Sequence, residues 1–214
     1  MIKLRITITC ISIYWALAVS AQAVEYSFNN NCKIELPTKL ELQDSELNSV
    51  KITNNGKKHQ VSVNSHSGHI TFQQRGLNAN TKSAFDKYCR VIIEYFKEKS
   101  NEPTLGRGDV IPIDKDVLDG VVESAKHNCR SGRAKFIKLI SLENLKINGL
   151  PVLYYSYKRQ GWEGKHPPVI VNVYCVFNRY ERVIITFSYR ESEREMWKDI
   201  HNFILKTFKF SSVY

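Results

Sequence analysis

Apolar and polar residues alternate along much of the chain, which is the pattern of half-buried β-strands. Before the first predicted helix the pattern appears in four segments: 33–36, 60–63, 70–72 and 88–96. The last is the strongest, because every second residue from Cys89 to Tyr95 points to one side. Asn54-Asn55-Gly56 predicts a turn, residues 73–86 predict a polar connection or short helix, and residues 97–110 predict a long exposed loop.

Two hairpins are predicted in the second half of the chain. Their strands lie at 136–147, 150–158, 169–177 and 182–189. Asn148-Gly149 joins the first pair, and this dipeptide tolerates a type I′ turn best. Residues 178–181 join the second pair, and residues 207–210 predict a short closing strand. Consecutive hairpins predict an antiparallel sheet.

Two segments have helical spacing. The first begins near Asp114, and its apolar positions follow a three-four spacing: Val117, Leu118, Val121, Val122 and Ala125. The second begins near Ser192, which is spaced from Glu195 as in a capping box. Its predicted buried stripe consists of Met196, Ile200, Phe203 and Ile204.

These elements predict an α+β fold. Two amphipathic helices need apolar surface to cover, and an antiparallel sheet flanked by helices provides it. Neither an internal repeat nor a dividing linker is visible in the sequence. We therefore expect residues 24–214 to form a single domain.

Residues 1–23 have the organisation of a cleaved secretory signal peptide. Lys3 and Arg5 precede an uncharged apolar run, and small residues up to Ala23 suit a signal peptidase. A membrane anchor is the competing interpretation, but the run of about 14 residues is shorter than the roughly 20 that a spanning helix needs. No later stretch approaches that length. The sequence predicts a secreted or periplasmic protein without a transmembrane segment in its mature chain.

The charge balance narrows the classes of partner. The chain has 31 Lys and Arg residues against 21 Asp and Glu residues, for a net charge of +10. These cations are scattered, which argues against a nucleic-acid-binding arm. They suit a solubilising surface or attraction to acidic polymers and anionic headgroups. An apolar fraction of 43% excludes an intrinsically disordered chain.

Four cysteines follow the predicted signal peptide: Cys32, Cys89, Cys129 and Cys175. An even number in an oxidising compartment predicts one or two disulfides, with three connectivities that the sequence does not separate. No two are spaced as C-x-x-C, which argues against a redox motif or a zinc knuckle.

Motifs of catalysis and metal binding are absent from the sequence. His66 and His69 form H-x-x-H without further ligands, and we interpret them as surface-loop histidines. The acids at 114–119 are explained as residues of a helix start. The sequence thus predicts no catalytic centre, metal or cofactor. A hydrolytic enzyme with a Cys or His centre stays open as the alternative, and a pocket that gathers Cys129 or a histidine with a carboxylate would favour it.

The loop at 160–168 is the best candidate for partner binding. It joins two predicted strands and carries Trp162, Lys165 and His166 close to Arg159. An exposed tryptophan among cations is typical of an anchor for a protein partner, a glycan or a membrane surface. The alternative is that Trp162 folds back over the sheet edge.

Three segments resemble the PsbP-like and DcrB-like secreted proteins. They are the strand ending in proline at 32–37, the phrase at 71–78 (TFQQRGLN), and the final helix and aromatic strand at 197–210. The resemblance implies an αβα sandwich in a group of mostly binding or accessory proteins with no shared catalytic motif. We therefore expect a monomeric, non-catalytic accessory protein of the cell envelope. Loops at one end of its sheet would contact a protein or a glycan.

Overall fold

The computed structural model describes residues 23–28, 31–43, 50–56, 58–63, 67–97 and 105–211. The predicted signal peptide lies outside these residues except for Ala23, which begins the first strand and pairs with Pro37. His66 and part of the predicted loop at 97–110 also lie outside them. Among the helices that the structure describes, none is long and apolar enough to cross a membrane.

The strands are β1 (Ala23–Phe28), β2 (Cys32–Pro37), β3 (Leu40–Leu42), β4 (Val50–Asn55), β5 (Lys58–Val63), β6 (Ser67–Gln74), β7 (Cys89–Lys97), β8 (Phe136–Ile147), β9 (Leu150–Arg159), β10 (Val169–Asn178), β11 (Glu181–Arg190) and β12 (Lys209–Phe210). The helices are α1 (Lys82–Phe85), α2 (Lys115–Ser131) and α3 (Arg194–Thr207). The predicted order of strands, helix, four strands and helix is confirmed. The sequence pattern did not predict β1, β3 and β4.

Two sheets form from these strands. The seven-stranded sheet has the order β3-β6-β7-β11-β10-β9-β8, and every neighbouring pair in it is antiparallel. The five-stranded sheet has the order β12-β2-β1-β5-β4, with β1 and β5 parallel. The predicted α+β class, with an antiparallel sheet between helices, is therefore confirmed. The five-stranded sheet was not predicted.

The main core fills the space between the two sheets. β7 contributes every second residue, and Cys89, Val91, Ile93 and Tyr95 are all buried, as predicted. Aromatic and aliphatic side chains complete the core from both sheets and from α3: Phe28, Ile34, Phe72, Ile185, Phe187 and Ile204. Each such side chain, when fully buried, stabilises the fold by roughly 1.5–3 kcal/mol.

Helix α2 lies on the opposite face of the seven-stranded sheet. Asp114 caps its start, because its carboxylate accepts a hydrogen bond from the Val117 amide at 2.9 Å. The buried stripe is Val121, Ala125 and Cys129, whereas Leu118 is exposed, contrary to the predicted face. Cys129 is thus a packed residue within α2 and not part of a frayed end.

Helix α3 differs from its prediction at both its start and its stripe. A 3₁₀ turn occupies Glu191–Glu193, the helix begins at Arg194, and no side chain caps it, so the predicted capping box is wrong. Met196 is exposed, and Trp197 takes its place in the stripe with Ile200 and Ile204. The start of the helix decides which residues face the sheet, because each residue turns the face by about 100°.

The tight turns follow the sequence closely. Asn148 and Gly149 have φ angles of 53° and 79°, as a type I′ turn requires. A two-residue turn likewise joins β10 and β11 through Arg179, at φ 56°.

Residues 73 and 74 differ from the prediction of a polar connection. Both glutamines belong to β6 and are buried, with their side-chain amides hydrogen-bonded.

The four predicted disulfide cysteines are all free in the structure. Cys32 and Cys89 belong to the core between the sheets, and Cys129 and Cys175 belong to the apolar layer beneath α2. Burial raises the pKa of each thiol, to about 12 for Cys175. They therefore act as small apolar core residues.

His201 makes stability depend on pH. Its ring packs between Tyr174 and Phe187, Nε2 has no hydrogen-bond partner, and burial lowers its pKa from 6.5 to about 4. The unfolded chain binds this proton below pH 6.5, and the folded chain binds it only near pH 4. The wild type should therefore lose up to about 3 kcal/mol relative to His201→Phe as the pH falls from 6.5 to 4.

Urea unfolding at several pH values measures this difference. His127→Gln, on the exposed side of α2, is the control and should follow the wild type. Parallel pH profiles for the wild type and His201→Phe would contradict the assignment.

Candidate functional site

Helix α2 leaves part of the sheet uncovered. It packs on β8 and β9 and reaches apolar residues of β10, such as Val171. The same face of β6, β7 and β11 continues beyond the helix and carries mostly polar residues: His69, Thr71, Arg90, Glu94, Thr186 and Ser188. This open part of the sheet forms the floor of a cleft.

We call this cleft the arginine cleft and divide it into two adjoining halves. The outer half has a volume of about 700 Å³ and the inner half about 320 Å³. Both halves are lined by the same five residues: Tyr88, Arg90, Ser131, Gly132 and Arg159. The outer half opens toward the loop at 160–168, and the inner half lies over the open sheet face.

The outer half is strongly basic. Five cations line it: Lys87, Arg90, Arg133, Arg159 and Arg190. Among the described residues, no carboxylate lines it. Phe85 and Trp162 also line this half with 54% and 53% of their surface exposed, so two apolar rings stand beside the cations.

The cations differ in the hydrogen bonds and ion pairs that they form within the protein. The Arg159 guanidinium donates to the Tyr88 hydroxyl at 3.1 Å and to the Gln160 carbonyl at 3.0 Å. Arg133 lies 3.8 Å from the Glu163 carboxylate with 76% of its side chain exposed. Arg90 is half-buried and, among the described residues, forms no ion pair. Arg90 thus has the most unused hydrogen-bonding capacity on the floor of the cleft.

Buried polar groups hold one wall of the cleft, the connection from β6 to β7. The Gln74 amide donates to the carbonyls of Ala84 at 3.0 Å and Lys87 at 2.6 Å, and it accepts from the Cys89 amide at 2.9 Å. The Gln74 side chain therefore joins three backbone positions of this connection and fixes the position of Phe85 within it.

An ion pair attaches the same wall to the rest of the molecule. Arg190 pairs with Glu193 at 3.1 Å and donates to the carbonyls of Asp86 and Phe85. Glu193 in turn accepts from the Tyr88 amide at 2.9 Å and from Trp197 at 3.1 Å. Arg190 is thus occupied with structure, although it adds positive charge to the cleft.

The loop from β9 to β10 forms the opposite wall. The Glu163 amide donates to the Arg133 carbonyl at 3.2 Å, and the Gln160 amide donates to the Lys135 carbonyl at 2.9 Å. These bonds attach the loop to the segment after α2. The Trp162 ring stacks on His166 with a centroid distance of 6.4 Å and stays exposed, so it does not fold over the sheet edge.

Two residues on this rim have left-handed backbones. Arg133 and Glu163 both have φ near 51°, a conformation that costs a non-glycine residue roughly 1 kcal/mol or more. They contact each other through the backbone bond and the weak ion pair described above. Strained residues of this kind often cluster at functional sites.

The inner half combines a carboxylate with several hydroxyl groups. His69 and Glu94 are direct cross-strand neighbours on β6 and β7. Burial raises the pKa of the Glu94 carboxyl, and the charges of His69 and Arg182 oppose this only in part. The Tyr88 and Ser188 hydroxyls, 3.2 Å apart, line the same half. His69 therefore belongs to a strand and a cleft, which corrects its prediction as a loop histidine.

The inner half also gathers the groups that the enzymatic alternative requires. Cys129 lines it together with His69 and Glu94. However, the Cys129 side chain is buried, and burial raises the pKa of its thiol, which disfavours a thiolate nucleophile. The structure gives no hydrogen bond between any two of these three described side chains. Their proximity is not the arrangement of an activated nucleophile.

Most of the site residues predicted from the sequence meet in the cleft. Trp162, His166 and Arg159 line the outer half, whereas Lys165 does not line it and pairs with Glu163 at 3.1 Å. The sequence did not predict the second aromatic ring or the other four cations of the outer half: Phe85, Lys87, Arg90, Arg133 and Arg190. Of these, Arg90 alone could have been suspected from the sequence, because it is a charged residue on β7 opposite the apolar face formed by Cys89, Val91, Ile93 and Tyr95.

Comparison with known proteins gives likenesses of fold only. No family model and no curated protein matches the chain. One similar structure is cyanobacterial PsbP (CyanoP) from Synechocystis sp. PCC 6803, with 15% identity and a TM-score of 0.49 over 89% of this chain and 93% of that one. PsbP thus appears among similar structures, as the resemblance in sequence predicted. Another is LpqN, involved in cell envelope biogenesis of Mycobacterium tuberculosis, with 8% identity, a TM-score of 0.45, and 89% and 91% coverage. We draw no conclusion about function from either likeness.

Gly161 should be essential for the shape of the outer half. A Cβ atom there would overlap the carbonyl group of His166, so the two ends of the loop approach closely only because residue 161 is glycine. Gly161→Ala should lower the free energy of unfolding by about 2 kcal/mol and change the environment of Trp162. Urea unfolding and tryptophan fluorescence measure these effects.

Gly120→Ala is the matched control. Gly120 lies within α2, and a Cβ atom added there would meet nothing within 4 Å, so alanine should stabilise the helix by about 1 kcal/mol. Equal effects of the two substitutions would show that the close approach at Gly161 is not required.

Proposed function

We propose that the protein is a non-catalytic binding or accessory protein of the cell envelope, exported by residues 1–23, and that its arginine cleft binds an anionic partner. One observation carries the proposal: the outer half has five cations, two half-exposed aromatic rings and, among the described residues, no lining carboxylate. The predicted signal peptide and the resemblance of three sequence segments to secreted accessory proteins support the location and the class.

Electrostatics favour an anion at this position. The cations come from four separate segments of the chain, so their convergence raises the local positive potential above that of a scattered surface. A guanidinium group also binds a carboxylate or phosphate through two parallel hydrogen bonds. Arg90 is suited to this, because it is half-buried and unpaired among the described residues. Binding should weaken as ionic strength rises.

The aromatic rings favour a partner that also has apolar surface. Phe85 and Trp162 belong to opposite walls of the cleft, and each leaves about half of its surface uncovered. Trp and Arg are the residue types that dominate binding energy at protein interfaces. The loops around one end of the sheet, rather than its edge, thus form the contact surface.

A photo-crosslinking probe at Trp162 tests the proposal in intact cells. Asp199, exposed on α3, provides the control position, because α3 lies on the opposite face of the seven-stranded sheet. We expect a discrete product from the Trp162 probe and none from the Asp199 probe. The same products from both positions, or none from either, would contradict binding at the cleft.

Substitution of Arg133 separates binding from folding. Because Arg133 and Glu163 share a left-handed backbone, Arg133→Gly and Glu163→Gly should each leave stability unchanged or raise it by about 1 kcal/mol. Only Arg133→Gly removes a cation from the cleft, so only it should reduce the yield of the Trp162 crosslink. A reduction of equal size in both variants would implicate the loop backbone instead of the charge.

A further inference from the structure

We infer that the arginine cleft takes an acidic saccharide, with the carboxylate or phosphate of one sugar at Arg90 and Arg159 and the hydroxyl groups of its neighbour in the inner half. This inference rests on the proposed function and names the ligand class of the same site. It follows from the order of three kinds of chemistry along the cleft.

The outer end offers a flat apolar platform. The Trp162 ring is exposed on the wall opposite Phe85 and stacks on His166 within its own loop. Sugar rings have an apolar face of C–H groups that packs on an aromatic face, whereas their rims need hydrogen-bond partners. A rigid, half-exposed indole at a cleft mouth suits such a ring.

The middle of the cleft offers the site for the negative charge. Arg90 and Arg159 line both halves, so an anion between the halves meets both guanidinium groups. Tyr88 holds Arg159 at 3.1 Å through its hydroxyl, which orients this guanidinium in advance. Pre-oriented donors lower the entropic cost of binding.

The inner half offers partners for hydroxyl groups. Its lining contains Glu94, His69, Thr186 and Ser188, all side chains that exchange hydrogen bonds with neutral polar groups. Burial raises the pKa of Glu94, so this carboxyl is well suited to a hydroxyl partner in a partly dry site. A second charged group of the ligand would be disfavoured here by the Glu94 carboxylate.

The sheet topology argues against an extended peptide as the occupant. β7 and β11, the middle strands of the floor, are paired on both sides along their length, so an extended peptide has no strand edge to join beneath the cleft. The outer half also lacks the continuous apolar groove that an amphipathic helix requires. Recognition must come from side chains, which suits a ligand with many hydroxyl groups and few charges.

Titration of the full protein with three trisaccharide-sized ligands tests the inference. The ligands are a galactose trisaccharide in which one sugar is replaced by galacturonic acid (the uronate), the uncharged galactose trisaccharide, and an end-blocked tripeptide with one glutamate between two glycines as the charge-matched peptide. We expect the uronate to bind about tenfold more tightly than either of the others, which corresponds to about 1.4 kcal/mol. Glucose 1-phosphate distinguishes a phosphate from a carboxylate as the preferred charge, and tight binding of either acid supports the inference.

Three variants locate the binding. Arg90→Gln should weaken uronate binding about tenfold, to the level of the neutral trisaccharide, because it removes the unpaired cation. Trp162→Ala should weaken the binding of both trisaccharides but not that of the charge-matched peptide. Lys198→Gln removes the same charge from exposed α3, beyond the sheet, and should change nothing.

The outcomes separate this inference from the proposed function. If the charge-matched peptide and the uronate bind equally tightly, and both lose affinity in Arg90→Gln, the saccharide assignment is overturned but the cleft remains an anion site. Uronate binding that Arg90→Gln leaves intact would overturn the assignment to this cleft. Failure of every acid to bind, together with no Trp162 crosslink in cells, would overturn both.

Discussion

One helix is too narrow to cover a seven-stranded sheet, and the position of the cleft follows from this difference in width. Strands lie about 4.8 Å apart and a helix with its side chains is about 10–12 Å across, so a single helix covers two or three strands. One face of the sheet is closed by the five-stranded sheet and α3. Among the helices that the structure describes, the one on the other face is α2, which has 17 residues and lies over β8, β9 and β10. The uncovered strands must therefore carry polar residues, and these form the floor of the arginine cleft.

A few buried polar side chains hold the β6–β7 connection in place as one wall of the cleft. Gln74 closes the β6–β7 connection, and the Arg190–Glu193 pair attaches it to β11 and α3. A buried ion pair adds little net stability by itself, because the attraction between its charges is largely offset by their desolvation. Its value here is geometric, since each partner also satisfies backbone groups of a connection that has little regular structure. The same contacts that complete the fold thus position Phe85 and Tyr88 around the cleft.

Binding and catalysis make different demands on this arrangement. A binding cleft needs pre-oriented donors and accessible rings, and Arg159, Arg90 and Trp162 meet that demand. A hydrolytic centre needs an activated nucleophile bonded to a base. Cys129 lines the same half of the cleft as His69 and Glu94, but its role in packing α2 against the sheet buries the thiol and favours its neutral form. The packing of the helix therefore favours the binding interpretation over the enzymatic one.

Local residue patterns were sufficient to predict the alternation of β7, the Asn148-Gly149 turn, the Asp114 start of α2 and the overall order of strands and helices. These depend on residues close in the chain, where backbone geometry and side-chain periodicity act directly. Other features become visible in the folded protein alone: the second sheet, the free cysteines, the buried position of Trp197 on α3, and the convergence of Arg90, Arg133 and Arg159 with Trp162. Those features join segments up to more than a hundred residues apart, as the contact of Tyr88 with Glu193 does. Contacts at that separation depend on strand pairing and helix packing across the whole core, which no local pattern encodes.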